Sequence, residues 1–160
     1  MVNMSEGRRL VITQDQLEEL AERYNELVNL VNTLSQNLTV LNMSINELNS
    51  AKAVLEQLSK GVVSDSYVTI GGGIYVKAEA KDTAKALVDV GEGYVAEMPI
   101  PQAIELINGR LNELNATREK LEQELAQAIR SSSEVRDLLT VIYSSLARSQ
   151  GGAAGPKAGP

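Results

Sequence analysis

Two glycine knots stand in the middle of the chain, Ile70-Gly71-Gly72-Gly73-Ile74-Tyr75-Val76-Lys77 and Val90-Gly91-Glu92-Gly93-Tyr94-Val95-Ala96. Glycines spaced like this can bring a backbone close to a phosphate, which is the chemistry of nucleotide-binding loops. The first knot lacks the Lys-Ser/Thr pair that completes a P-loop. The second fits G-x-G-x-x-A, but a dinucleotide site also needs a helix to start there, with its amides facing the pyrophosphate. Here Tyr94-Val95-Ala96-Glu97-Met98 is β-prone, and Pro99 and Pro101 follow. Glu92 would also face the phosphates with a like charge, and no βαβ unit is visible elsewhere. The glycines read as chain reversals, at φ values that side chains resist.

Composition removes other chemistries. The chain has 160 residues with no Cys and no His, so zinc sites of thiolate or imidazole, catalytic Cys-His and Ser-His-Asp sets, and disulfides are excluded. A formal net charge of -6 argues against general binding to nucleic acid or anionic membrane. No cofactor and no metal is expected. No apolar run approaches the roughly 18 residues of a membrane span. Gly7-Arg8-Arg9 precedes only Leu10-Val11-Ile12, too short for a signal h-region, so the expected location is cytoplasmic. The sequons at Asn3, Asn37, Asn42 and Asn115 carry little meaning without secretion, and Asn37 and Asn42 fall beside a helix seam.

That seam belongs to the first of two long elements. Leu17, Leu20, Tyr24, Leu27, Val31, Leu34, Leu38, Leu41, Ile45 and Leu48 alternate spacings of three and four, the heptad pattern of a coiled coil. Thr13 with Gln16 makes a capping box, and Ile12 with Leu17 can form a hydrophobic staple. Gly61 is placed to end the helix. A second seam runs Ile104, Ile107, Leu111, Leu114, Arg118, Leu121, Leu125, Ala128, Ser132, Val135, Leu139, Ile142 and Leu146, with Pro101 suited to the first helical position. Arg118 and Ser132 break it. Such residues either set register and partner or, for Arg, let a long stem snorkel outward. Each helix should reach roughly 70 Å at 1.5 Å per residue. Near-equal lengths around a compact middle predict an antiparallel pair whose far ends meet.

The middle is a set of strands. Ile74, Val76, Ala78 and Ala80 alternate with Tyr75, Lys77 and Glu79, a period of two. Turn signals at Gly71–Gly73, at 81–85 and at Gly91–Gly93 divide the segment into two β-hairpins. The predicted organisation is an arm at 1–12, helix one at 13–60, hairpins at 61–98, helix two at 99–148, and a Gly/Ala/Pro-rich tail at 149–160 expected to be disordered. Isolated hairpins have open edges and are marginal in water, so these strands want partners.

The stretch VTIGGGIYVKAEAKDTAKALVDVGEGYVAEM, residues 68–98, set between two coiled-coil helices, resembles the alpha class of archaeal-type prefoldin subunits. Two hairpins, rather than the one of the beta class, carry that resemblance. One departure is Thr69, where the family more often has Pro. The resemblance implies an α+β fold in which a long antiparallel two-helix coiled coil carries two hairpins that assemble into an oligomeric β-barrel. It implies a hexamer with prefoldin beta subunits, two alpha to four beta. Six coiled coils then capture unfolded client proteins at their tips without ATP and pass them to a group II chaperonin. The chain would be no enzyme and would bind neither nucleic acid nor membrane.

The resemblance assigns contacts between subunits to Val68, Ile70, Gly71, Gly72, Gly73, Ile74, Val76, Leu87, Val88, Val90, Gly91, Gly93 and Val95. It assigns client contact to the tips, at Leu10, Val11, Ile12, Leu17, Leu20, Leu138, Val141, Ile142, Tyr143 and Leu146. The sequence itself adds that off-seam sites between 112 and 127 are polar or Ala, whereas Leu138, Val141, Tyr143, Val28 and Leu30 widen the stripe toward the helix ends. Exposed apolar patches of this kind mark interaction sites. The alternative is a structural coiled-coil scaffold or self-assembling filament built from the same hairpins, without client transfer.

Overall fold

The computed structural model describes residues 12–61 and 63–152. Helix α1 spans Gln14–Leu58. Four strands follow, β1 Val63–Gly71, β2 Ile74–Ala80, β3 Lys85–Gly91 and β4 Tyr94–Pro99. Helix α2 spans Ile100–Gly151. Leu10, Val11 and the tail beyond Gly152 lie outside the described residues.

The start of α1 is fixed by the expected capping box. The Gln16 amide donates to Thr13 Oγ1 at 3.3 Å, and the Thr13 amide donates to Gln16 Oε1 at 3.0 Å. Two amides that the helix itself cannot satisfy are thereby paired. A Thr13→Ala substitution should cost about 1 kcal/mol, speeding hydrogen exchange of the first-turn amides about fivefold and leaving the hairpin amides unchanged. At the other end the Gly61 amide donates to the Leu58 carbonyl at 3.1 Å, and Gly61 takes φ +133.

α2 begins at Ile100, whose amide donates to the Ala84 carbonyl at 3.1 Å. The Asp82 carboxylate in turn accepts the Ala84 amide at 3.0 Å. The β2–β3 connection thus anchors the helix start, and Pro101 falls one residue inside rather than at the first position. The helix continues to Gly151, three residues past the expected end, because the heptad pattern stops at Leu146 but nothing before Gly151 breaks a helix.

By contacts the chain forms two compact units. One comprises the residues up to Gln36 and those from Glu122; the other is Asn37–Leu121. In the second unit Ile45, Ile107 and Leu111 form the core, with Leu41, Leu48, Leu55 and Leu114 packed on it. Ile100 and Ala103 are sealed at the helix start. In the first unit Leu34, Ala128, Leu139 and Ile142 are buried. There Leu27, Leu30 and Leu34 line a cleft with Glu124, Ala128 and Ser131, while Leu17 lines one with Tyr143 and Leu146. Rising numbers on α1 meet falling numbers on α2, so the two helices run antiparallel.

Every seam position is buried or half-buried except Leu146. Ser132 sits in the seam without a cross-helix demand, since its hydroxyl donates to its own helix at the Ile129 carbonyl, 2.9 Å away. No polar side chain is buried among the described residues.

The strands form two separate antiparallel ladders, β1–β2 and β3–β4. Their turns are near copies. In the first, Thr69 pairs with Tyr75 and Gly71 with Ile74; in the second, Asp89 pairs with Val95 and Gly91 with Tyr94. Each leaves one bulged residue, Ile70 or Val90, and a two-residue loop with positive φ throughout, Gly72-Gly73 (+60, +77) and Glu92-Gly93 (+52, +80). This is the type I′ geometry whose twist matches the strands. Each bulge is braced alike. The Gly71 amide donates to Thr69 Oγ1 at 3.3 Å, and the Gly91 amide to Asp89 Oδ1 at 2.8 Å. Thr69, the departure from the family pattern, thereby takes the bracing role that Asp89 has in the other turn.

Candidate interaction surfaces

The glycine knots hold no phosphate geometry. Gly91-Glu92-Gly93 is followed by strand β4 rather than by a helix, so no helix N-terminus faces a ligand there. What the glycines build is two ladders of two strands each. Every strand therefore keeps one edge of unpaired amides and carbonyls.

The residues predicted to join subunits mostly lie open in this chain. Val68, Ile70, Ile74 and Val76 are exposed in the first hairpin, and Leu87, Val90 and Val95 in the second. Val88 alone among the predicted side chains of the second hairpin is half-buried. In β2 the alternating face expected to be covered is half-buried only at Ala78 and Ala80, and opens at Val76 and Ile74. α1 reaches only the lower part of hairpin one, whereas α2 reaches hairpin two as far as the bulge beside its turn. Tyr67, Tyr75 and Tyr94 are exposed as well, so both faces near the turns are apolar and uncovered. Contiguous exposed apolar side chains of this kind mark an interaction surface.

Each hairpin root makes a cleft with a helix. Val68, Ala78 and Ala80 face Ala53, Val54 and Leu58 of α1 across about 590 Å3. Val90 and Met98 face Leu106, Gly109 and Arg110 of α2 across about 580 Å3. At the second cleft the Arg110 guanidinium donates to the Asp89 carbonyl at 2.6 Å, tying the bulge of hairpin two to the helix. Lys77 pairs with Asp65, and Lys85 with Glu97 at 3.7 Å, across the ladders. Such exposed pairs add little stability. No sequence signal announced the Arg110 contact, which depends on how the hairpin lies on the helix.

The second predicted surface is only partly brought together. Ile12, Leu17, Tyr143 and Leu146 line one cleft of about 410 Å3 where the ends of α1 and α2 meet. Leu20 is half-buried and Ile142 buried, so both serve the seam. Leu138, Val141 and Tyr143 are exposed, Val141 most, at 58%. Successive residues turn about 100° around a helix, which puts Leu138 and Tyr143 on opposite flanks of the Leu139–Ile142–Leu146 line. Val141 points further away. The apolar rim therefore wraps the helix end instead of forming one flat patch. Exposed apolar side chains also occur off the ends, at Ile129 in the first unit and at Val40, Met43 and Val54 in the second. Counting apolar residues off the heptad positions along the whole of α1 would have found the last three.

No helix is long and apolar enough to cross a membrane among the described residues.

Comparison with known proteins agrees with this architecture. The sequence model of the prefoldin subunit family matches residues 27–145. The chain is 34% identical over 122 residues to prefoldin subunit alpha of Pyrococcus horikoshii, covering 75% of this chain and 82% of the relative. It is 37% identical over 103 residues to prefoldin subunit alpha of Thermococcus onnurineus, covering 62% and 69%. It is 27% identical over 130 residues to that of Archaeoglobus fulgidus, covering 81% and 85%. A chain from a cryo-EM structure of filamentous PFD from Methanocaldococcus jannaschii shares the fold with a TM-score of 0.60 at 23% identity, over 75% of this chain and 98% of that one. Two long antiparallel helices joined by two hairpins, and a family match over most of the sequence, lead to one conclusion: the chain belongs to the prefoldin family, in its alpha class of subunits.

Proposed function

We propose that this chain is the alpha subunit of an ATP-independent cytoplasmic chaperone, assembled with prefoldin beta subunits as two alpha to four beta. Its coiled-coil ends capture unfolded proteins, which pass to a group II chaperonin. The observation that carries this reading is the pair of unpartnered hairpins, apolar on both faces and open at every edge, on a chain of this family. Hairpins in that state want strands from neighbouring subunits, since edge pairing and apolar burial are satisfied together. The exposed Leu138, Val141 and Tyr143 offer clients an apolar rim. Contacts of this type are individually weak, and avidity across several coiled coils strengthens them.

Light scattering on the chain mixed with a beta-class subunit should show one discrete heterohexamer. The mixture should suppress aggregation of a chemically denatured client equally with and without ATP. A chain that polymerises alone and ignores both beta subunit and client overturns this reading. It would favour the self-assembling filament; the structural neighbour from Methanocaldococcus jannaschii was imaged as filamentous PFD.

A further inference from the structure

The cleft where the ends of α1 and α2 meet is lined by Ile12, Leu17 and Ala21 on one side and by Tyr143 and Leu146 on the other, and the last two stay exposed. Ile12 is half-buried there beside Leu17. The chain thus enters α1 turned back against the side of the helix, as a hydrophobic staple requires. Just before Ile12 stand Arg8-Arg9-Leu10-Val11, two cations and then two apolar side chains. The α1 flank of the cleft is acidic. Asp15, Glu18 and Glu22 stack on one face at spacings of three and four, and Glu18 lines the cleft. Among the described residues no cation pairs with any of them. Glu19, Arg23 and Arg148 are the other charged groups at this end, so four carboxylates stand against two cations. Arg23 lies about 100° beyond Glu22 around the helix, and Arg148 donates to the Ser144 carbonyl of its own helix.

We propose that residues 8–11 fold back over this cleft as a strap, with Leu10 and Val11 on its apolar floor and Arg8 and Arg9 against the acidic stripe. A client that uses this helix end must then displace the strap. The lengths agree. Arg9 stands three residues before Ile12, a reach of about 10 Å in extended chain. Glu18 stands six residues after it, about 9 Å along the helix. Arg8 reaches one step further, toward Glu22. Opposite charges beside an apolar floor fix the register of such a segment. A second copy of the chain carries the same four residues, but the tethered ones are present at an effective concentration on the order of millimolar.

The effect on clients rests on the chaperone reading above, whereas the strap itself does not, and the test separates the two. Two introduced cysteines report the strap in the full-length chain, which has none of its own. Gly7→Cys with Ala21→Cys should close an intrachain disulfide about tenfold faster than Gly7→Cys with Arg23→Cys. The two loops are nearly equal in length, so closure entropy does not separate them. The side of α1 does, since Ala21 lines the cleft and Arg23 lies about 200° away around the helix. Adding Arg8→Glu with Arg9→Glu should slow the first pair about threefold or more. In the cysteine-free chain mixed with beta subunits, the same charge reversal should lower the concentration needed for half-suppression of client aggregation about twofold. Equal closure rates for the two cysteine pairs overturn the inference, and so does a rate that the charge reversal leaves unmoved. A disulfide that joins two chains overturns it as well, since the occupant is then a second copy. Fast intrachain closure with unchanged suppression leaves the strap standing and removes the client role from this helix end.

Discussion

Placing valine at both Gly73 and Gly93 should abolish assembly while leaving the helices intact. Both glycines hold the second loop position of a type I′ turn, at φ +77 and +80. A β-branched residue there clashes with its own backbone, at about 1–2 kcal/mol per turn. Each hairpin is a two-stranded ladder with an open edge, which is marginal before any such cost. The helices do not depend on the turns, because their cores lie at Ile45, Ile107 and Leu111 and at Leu34, Ala128, Leu139 and Ile142. Far-UV circular dichroism of the double variant should therefore keep the helical signal of the wild type. Light scattering with the beta subunit should show separate species in place of the heterohexamer. Gly72→Asn is the control. Its φ of +60 is one that asparagine visits readily, so assembly should survive. A valine double variant that assembles normally would mean that the hairpins are not the joint.

Much of this was legible beforehand, for reasons that lie in local physics. The seams could be read because a coiled coil repeats one spacing many times, and errors at single residues such as Arg118 or Ser132 do not disturb the period. The turns could be read because positive φ over two adjacent loop residues nearly dictates their types. Legibility ended where tertiary placement decides. The bulges at Ile70 and Val90 shift the strand register by one residue at the turn, which strict alternation in the sequence does not reveal. Asp65 takes φ +68 and pairs with Lys77, breaking the register early in β1, again without a glycine to announce it. The extent of hairpin coverage was equally hidden. Ile74 and Ala80 share one face of one strand, yet only the end near the helix is shielded.

The candidate surfaces divide the same way. The hairpin residues were identified as a set because the repeat of two similar turns is a long, specific pattern. The helix-end residues were identified by an excess of apolar side chains off the seam, which is a weaker signal. Leu17, Leu20, Ile142 and Leu146 belong to that set although they lie in the seam itself. Val40 and Met43 were missed although they are as exposed as any residue at the ends, at 64% and 59%. Hydrophobicity alone does not say which exposed side chain meets a client. Under the proposed assembly position separates them, because neighbouring subunits would cover residues near the hairpins and leave the helix ends open.

That distinction gives the second large effect. Replacing Leu138, Val141 and Tyr143 with serine should weaken suppression of client aggregation severalfold and leave assembly unaltered. All three side chains are exposed and lie off the Leu139–Ile142–Leu146 seam, so their loss leaves the helix pairing intact. Each buried apolar side chain of this size contributes about 1.5–3 kcal/mol when a client covers it fully, and about half that when coverage is partial. Three such losses on each of two coiled coils out of six reduce the avidity of the assembly, so the concentration needed for half-suppression should rise about threefold to tenfold. Melting temperature should move by no more than about 2 °C, as expected for surface substitutions away from caps and cores. Val40→Ser with Met43→Ser supplies the comparison, since it removes similar apolar surface elsewhere on the chain. That variant should suppress aggregation as well as the wild type. Wild-type suppression by the triple variant would sink the assignment of the helix ends. Equal loss in both variants would point instead to capture along the whole length of the coiled coil, with the ends having no special part in it.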